Sequence, residues 1–156
     1  MTKVKSREEI SEIASSLRKK GKVIVTTCGA FDIMHVGHLE SLQHARNLGD
    51  VLIVCLNSDS SIKQYKSDKR PIIPEKQRAE MLSALECVDY VTIFNETTPN
   101  NILEAIRPSI HVKSKTGYKG IEKDVVEKNN GKIVLLDDVP GLSTSKIIEK
   151  IIEAYK

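Results

Sequence analysis

Two histidines three residues apart are the strongest chemical signal in this sequence of 156 residues. His35 and His38 stand on either side of Gly37, and a second glycine, Gly29, precedes them closely. An imidazole can donate a hydrogen bond to a phosphate oxygen on which negative charge builds up. A glycine lacks the Cβ atom that would keep a phosphate away from the backbone. The pattern therefore indicates a site for phosphoryl or nucleotidyl transfer.

A metal site is the first alternative interpretation of the pair, because histidines at i and i+3 of a helix can share one ion. None of the three cysteines, Cys28, Cys55 and Cys87, has the spacing of a zinc ligand, and no nearby carboxylate-rich helix completes a ligand set. We therefore predict no metal held by protein ligands. The cysteines are interpreted as reduced, buried, small apolar side chains.

A structural role is the second alternative. It is the preferred interpretation for His44 and His111, which stand alone in the sequence. For the pair it is weaker, because packing alone does not explain a glycine between two histidines at the end of a strand.

The pair needs a strand, a turn and a helix to position it. Residues 23–25 form an apolar, β-branched run that is typical of a buried parallel strand. After the pair, apolar residues recur at helical spacing, which predicts a helix that begins at the histidines. A helix start presents unpaired N–H groups and the positive end of the helix dipole, and both favour phosphate.

The rest of the chain alternates strands with helices. Further strands are predicted at 51–56, 90–94, 109–113 and 132–136, and a capping box of Ser6 and Glu9 begins an N-terminal packing helix at about 6–20. Uniformly apolar strands that alternate with helices predict an α/β fold, namely a Rossmann-like parallel five-stranded sheet with helices on both faces. Residues 1–156 form a single domain in this interpretation. Its ligand site is expected at the carboxyl ends of the strands.

Two other segments are candidates for phosphate binding. The polar and basic stretch 60–74, which contains Lys66, is predicted to be a mobile loop over the site, and Arg78 in the next helix could face it. Hydroxyl side chains also begin the last helix, at 143–145. One such hydroxyl usually serves as a helix cap, but three in a row exceed what capping needs.

Composition excludes several classes of protein. The net charge of +3 is too small to indicate nucleic acid as a partner, and the absence of tryptophan removes a stacking platform for single strands. No apolar run approaches the length that spans a membrane, and the N-terminus carries charge where a signal peptide would be apolar. We expect a cytoplasmic protein that binds neither nucleic acid nor membrane.

The segment Gly29-Ala30-Phe31-Asp32, followed by His35-Val36-Gly37-His38, resembles the signature of the cytidylyltransferase-like nucleotidyltransferases. The resemblance extends over about 21–148, and it is greatest to the heptose-phosphate adenylyltransferases of that family. It implies transfer of a nucleoside monophosphate from ATP to a heptose 1-phosphate, with release of pyrophosphate. The alternative is a CTP-dependent enzyme that acts on glycerol 3-phosphate or another polyol phosphate. A minor alternative is a nucleotide-binding module without turnover.

The resemblance also implies site residues and partners. Catalytic roles fall to His35, His38 and Lys66, and substrate contacts to Asp32, Asn57 and Lys113. Nucleotide contacts fall to Thr27, Gly29, Ala30, Phe31, Gly37, Arg78, Ser143, Thr144 and Ser145. Magnesium bound mainly through the nucleotide phosphates and assembly as a homodimer are further implications.

Two segments depart from the patterns of these relatives. After the fourth predicted strand, Ser114-Lys115-Thr116-Gly117-Tyr118 replaces a Gly-Gly-Asp-Tyr turn of the heptose enzymes. Near the C-terminus, Asp137, Asp138 and Val139 occupy the stretch where the glycerol 3-phosphate enzymes carry an arginine. The choice between ATP and CTP therefore stays open on the sequence.

Overall fold

The computed structural model describes residues 2–156 and has, within them, six strands and seven helices. The strands are β1 (Val4–Lys5), β2 (Ile24–Gly29), β3 (Val51–Asn57), β4 (Tyr90–Phe94), β5 (Ile110–Ser114) and β6 (Lys132–Leu136). The helices are α1 (Arg7–Lys19), α2 (Val36–Arg46), α3 (Asp59–Tyr65), α4 (Glu75–Ser83), α5 (Asn100–Ile106), α6 (Lys123–Lys128) and α7 (Thr144–Ala154). None of these helices is long and apolar enough to cross a membrane.

All strands of the sheet run parallel, in the order β1-β4-β3-β2-β5-β6. The predicted α/β class and parallel sheet are confirmed, but the predicted number of five strands is wrong. The additional strand, β1, pairs Val4 with Val91 and Lys5 with Thr92 at the edge of the sheet. Two residues, one of them charged, are too short to produce the periodic pattern from which a strand is predicted.

Helices cover both faces of the sheet, as the apolar strands require. On one face Leu52 and Val54 of β3 pack with Leu42 of α2 and Leu82 of α4. On the other face Ile53 and Cys55 pack with α1 and α5, through Ile10, Ala14, Ile102 and Ile106. Successive residues of β3 thus point into two different cores.

The sequence predicted the N-terminal helix correctly but not the structure of the segment 60–74. The N-terminal helix is present as α1, and Ser6 and Glu9 form the predicted capping box. The segment 60–74 is not a continuous loop, because its first part is helix α3, capped by the side chain of Ser58. Only Ile62 of this short helix is a buried apolar residue, so no helical period is visible in the sequence.

A crevice opens where the chain changes direction in the sheet. Strand β2 has β3 on one side and β5 on the other, and β6 extends the sheet from β5. At such a point the connections leave the two neighbouring strands in opposite directions, which creates room for a ligand at their carboxyl ends. The histidine motif follows β2 directly.

Candidate active site

The crevice consists of two adjoining pockets at the carboxyl ends of β2 and β5. The inner pocket is lined by the motif from Thr27 to Asp32 and by Val112, Lys113 and Ser114. The outer pocket is lined by His35, Gly37 and the start of α7. The side chains common to both are those of His38, Ser41, Lys66, Arg70, Ser114 and Thr144.

The two histidines cap the first turn of α2 and fix one another. The backbone N–H of Gly37 donates to Nδ1 of His35 at 3.1 Å, and the backbone N–H of His35 donates to Nδ1 of His38 at 3.2 Å. The rings are stacked with their centroids 4.0 Å apart. Because each Nδ1 accepts a hydrogen bond, each neutral ring carries its proton on Nε2.

The pair therefore presents two N–H donors at the crevice. Nε2 of His35 is buried and has no hydrogen-bond partner among residues 2–156. A buried donor without a partner is costly, and a ligand oxygen would satisfy it. A phosphate oxygen bound in the outer pocket would be such a partner.

Gly37 is required by the histidine in front of it. A Cβ atom at this position would lie 2.9 Å from both Cε1 and Nδ1 of His35 and 3.2 Å from Cβ of Leu142. The sequence predicted Gly37 as a position where phosphate approaches the backbone. The structure adds that any larger residue would displace the His35 ring from its cap.

Both histidines are neutral near pH 7. Burial lowers the pKa of His35. Burial, together with the neighbouring His35 and Lys66, lowers the pKa of His38 to about 4. Neutral imidazoles with the proton on Nε2 are hydrogen-bond donors that bring no net charge of their own.

Positive charge in the crevice comes from basic side chains around the pair. Lys66 and Arg70 line both pockets, and Lys113 lines the inner one. Burial and the charge of Arg70 lower the pKa of Lys66, with a smaller contribution from Lys113. Cations that disfavour each other's charge in one crevice are stabilised by an anionic ligand.

Asp32, a predicted substrate contact, lines the inner pocket and also has a structural task. Its buried carboxylate accepts hydrogen bonds from the backbone N–H groups of Ile72 and Ile73 at 2.8 and 2.9 Å and from Nε of Arg70 at 2.8 Å. Burial alone would raise the pKa of Asp32, but these donors and the charge of Arg70 lower it. The carboxylate thus secures the segment that carries Arg70 beside the crevice.

Arg78, a predicted phosphate ligand, directs its donors to oxygen atoms of the protein. Its guanidinium is buried, and it donates to the carbonyl oxygens of Ile73, Ala30 and Asn57 and to Oδ1 of Asp59 at 2.6–2.9 Å. Its place one turn into α4 directs the side chain back over the helix start, away from both pockets. Arg78 therefore joins the loops that follow β2 and β3.

The hydroxyl groups of residues 143–145, at the start of α7, make different contacts. Ser143 is the helix cap and accepts from the N–H of Lys146 at 3.1 Å. Thr144 donates to the carbonyl oxygen of Asp32 at 2.9 Å, which fixes α7 to the motif after β2. A capping serine accepts through a lone pair and keeps its own proton, so Ser143 and the pocket-lining Ser145 retain O–H donors.

The remaining predicted residues lie at the inner pocket or behind it. Gly29, Ala30 and Phe31 line the inner pocket, and the hydroxyl of Thr27 donates to the carbonyl of Val112 at 3.0 Å. Asn57 is buried, donates from Nδ2 to Ser61, and lines a rear pocket together with Lys113.

Three side chains that line both pockets were absent from the predicted set. The sequence contained a signal for Arg70, because it is a basic residue of the stretch 60–74 and stands directly before Pro71. Ser41 lies one turn after His38 on α2, so a helical projection would have found it. Ser114 lies in the turn that differs from that of the heptose enzymes, so the resemblance assigns it no role.

Comparison with known proteins identifies the relatives of this chain. Residues 26–150 match the family model described as cytidylyltransferase-like. The chain is 44% identical over 99% of its length to the bifunctional protein HldE of Syntrophotalea carbinolica and 50% identical over 95% of its length to that of a Nitratiruptor species. It covers 32% of each, so it spans about a third of the length of these curated relatives.

A solved structure with a similar fold also has detectable sequence similarity to this chain. The lipopolysaccharide core biosynthesis protein of Thermoplasma volcanium superimposes with a TM-score of 0.68 and 28% identity. The match covers 76% of this chain and 99% of that protein.

The depressed pKa of His38 predicts an unusual titration. In NMR spectra recorded against pH, the ring signals of His38 should titrate with a midpoint near pH 4, against about 6.5 for a free histidine. Since the folded state resists protonation, His38 contributes stability that is lost as the pH falls from about 6.5 towards 4. Lys66→Gln removes a neighbouring charge and should raise the midpoint, whereas His44→Gln serves to assign the signals. A midpoint above 6 would contradict the burial of this ring.

Proposed function

Because the chain belongs to the cytidylyltransferase-like family, we propose that it is a nucleotidyltransferase. The reaction transfers a nucleoside monophosphate from a nucleoside triphosphate to a sugar phosphate and releases pyrophosphate. The observation that carries this proposal is the pair of Nε2–H donors of His35 and His38 among basic side chains. One of these donors is buried without a protein partner among residues 2–156.

The proposed reaction needs no nucleophile from the protein. A phosphate oxygen of the acceptor attacks the α-phosphorus, a new oxygen–phosphorus bond forms, and the bond between the α-phosphorus and the bridging oxygen breaks. Pyrophosphate leaves with the electron pair of that bond. Alignment of the two substrates and neutralisation of charge on the phosphoryl oxygens are then the main contributions of the protein.

Each group in the crevice has a place in this scheme. His35 and His38 donate to oxygens of the triphosphate, and Lys66 and Arg70 neutralise its charge. Ser143 and Ser145 donate to the β- and γ-phosphates, while Lys113 meets the acceptor. The nucleotide lies along the segment from Thr27 to Phe31.

Magnesium fits this crevice as an ion carried by the nucleotide. Among residues 2–156 the carboxylates that line the two pockets are those of Asp32 and Asp138. The first is saturated by its own hydrogen bonds, and an oxygen of the second accepts from Thr116 at 2.7 Å. Phosphate oxygens and water would therefore supply most ligands of the ion, as magnesium prefers. When bound, it would neutralise phosphate charge.

ATP and a heptose 1-phosphate are the proposed substrates. The support is sequence likeness to heptose-phosphate adenylyltransferases, which includes Asn57-Ser58-Asp59 after β3 and Thr98-Pro99 before α5. The absence of the arginine that the glycerol 3-phosphate enzymes carry also favours ATP. CTP with glycerol 3-phosphate is the second candidate, supported by the segment 140–144, which is similar to that of the glycerol 3-phosphate enzymes.

We also propose that the chain forms a homodimer. Helix α7 has apolar residues along one face, yet it buries none of its side chains. Ile151 and Ile152 are 50% and 57% exposed. A contiguous apolar surface of this kind favours association.

Substrate specificity is expected to follow the proposed assignment. Pyrophosphate release, measured with ATP and with CTP against a panel of sugar phosphates, should be greatest for ATP with a heptose 1-phosphate. A pocket that hydrogen-bonds the base should favour one triphosphate by about tenfold or more, since one lost contact costs at least about 1.4 kcal/mol. A preference for CTP would show that ATP is the wrong nucleotide, but the proposal of nucleotidyl transfer would still stand. Nucleotide binding without pyrophosphate from any acceptor would instead indicate a binding module.

Removal of one imidazole donor should slow the reaction strongly. His38→Ala is expected to lower kcat by about a hundredfold or more, the effect of losing a preorganised donor to a developing negative charge. His44→Ala, an exposed position on the same helix, is the matched control and should leave kcat unchanged. Full activity in a folded His38→Ala protein would rule out the assignment.

The oligomeric state can be measured by light scattering or sedimentation. A dimer is expected at micromolar concentration, and Ile151→Glu combined with Ile152→Glu should produce monomers, because it places charge in the proposed interface. Glu153→Lys lies on the opposite side of α7 and should leave the dimer intact. A monomeric wild-type protein would refute this proposal.

A further inference from the structure

Three side chains with metal-binding groups meet at the base of the crevice. Cys28 comes from β2, His111 from β5, and Glu122 from the residue before α6. Their ligand atoms all lie within 4.8 Å of one another, and Sγ of Cys28 is 3.9 Å from Nε2 of His111. Thiolate, imidazole and carboxylate are the ligand types of zinc sites in proteins. Because the three residues are far apart in sequence, motif spacing gave no sign of them.

One carboxylate oxygen of the cluster lacks a hydrogen-bond partner in the part of the chain that the structure describes. Glu122 is 5% exposed, and its Oε2 atom is buried without a hydrogen-bond partner among residues 2–156. A buried carboxylate oxygen without a donor or a cation costs free energy. This oxygen therefore points to a positively charged ligand.

A lysine supplies part of that charge. Nζ of Lys113 lies 3.6 Å from Sγ of Cys28 and 3.7 Å from Oε1 of Glu122. The ammonium group donates a hydrogen bond to the sulfur. Its separation from the carboxylate oxygen, however, is longer than a good charge-assisted hydrogen bond between nitrogen and oxygen, which is about 2.7–2.9 Å. The ammonium group therefore offsets part of the negative charge but leaves Oε2 of Glu122 without a partner among residues 2–156.

His111 is oriented as a metal ligand would be. The ring is fully buried, and its Nδ1 lies 2.8 Å from Oγ1 of Thr26. When Nδ1 carries the proton and donates to Thr26, the lone pair of Nε2 faces Cys28. Fixing one ring nitrogen by a hydrogen bond so that the other can bind metal is the usual arrangement at such sites.

We infer that Cys28, His111 and Glu122 form a binding site for a divalent transition-metal ion of the zinc type. In a tetrahedral zinc site the ligand atoms are about 3.3–3.8 Å apart, so small side-chain movements would close the present cluster around the ion. Binding forms the metal–sulfur bond and releases the thiol proton of Cys28 to solvent. Lys113 then moves from the cluster, since like charges repel.

The fourth ligand position faces the crevice. Cys28 and Lys113 line both the inner pocket and the rear pocket, and Glu122 lines the rear pocket. A water molecule or a phosphate oxygen can therefore complete the coordination. A metal ion here displaces the lysine assigned to the acceptor, so it should inhibit nucleotidyl transfer. Only this inhibition rests on the proposed function.

Zinc binding by the full chain tests the site directly. Competition between the protein and a chromogenic chelator should reveal one zinc ion per chain. Cobalt in place of zinc should give the intense visible bands of a tetrahedral ion and the charge-transfer band of a cobalt–thiolate bond. Neither signal requires turnover, so the site can be confirmed or refuted whatever reaction the protein performs.

Variants separate this site from the other candidates. Cys28→Ser should abolish the thiolate band and weaken zinc binding by about tenfold or more, and Glu122→Gln should also weaken it. Lys113→Gln removes the competing charge and should strengthen binding. Cys87→Ser, a thiol outside the cluster, is the matched control and should bind as the wild type does. Thermal unfolding confirms that each variant is folded.

Two results would overturn the inference. One is the absence of zinc binding by the wild-type protein. The other is binding that persists in Cys28→Ser and disappears in His38→Ala, because it would place the ion at the histidine pair.

Discussion

The buried carboxylate of Asp32 connects the chain segments that enclose the crevice. It accepts three hydrogen bonds from the segment that carries Arg70, and the carbonyl oxygen of the same residue accepts the bond from Thr144 at the start of α7. The segments that follow β2 and α3 and the start of α7 are thereby tied to one residue. Removing one partner of such a buried ionic network is strongly destabilising, because the other partner is left unpaired.

Arg78 performs the complementary task beneath the crevice. A buried guanidinium is tolerated only when its donors are satisfied, and here they meet three carbonyl oxygens and a carboxylate. These acceptors lie just after β2, at the end of β3, at the start of α3 and in the segment before α4. The buried carboxylate of Asp32 and the buried guanidinium of Arg78 thus help to position the segments around the crevice. Lys66, Arg70 and Lys113 remain beside the crevice as its cations.

The sequence predicted the parts of the fold that have a local signal. Strands at 90–94 and 132–136 were predicted with the bounds that the structure has, and the start of α2 at the histidines was also predicted. Strand β1 and helix α3 were missed because each is short and lacks a clear apolar period. The roles of Asp32 and Arg78 could not be read from residue type, since a buried ion pair and a ligand contact use the same side chains. The cluster of Cys28, His111 and Glu122 depends on the order of the strands, which residue spacing does not contain.

The mutual capping of His35 and His38 also has an entropic consequence. Each ring is fixed by a backbone N–H and by its stacked neighbour, so neither has rotamers to lose when a phosphate arrives. In the proposed reaction the donors would need little reorientation as charge develops on a phosphoryl oxygen, and the reorganisation energy of the step would be correspondingly small. The two rings lose their conformational entropy during folding, when the hydrogen bonds that begin the helix form. Unwinding the first turn of α2 would therefore release both donors at once.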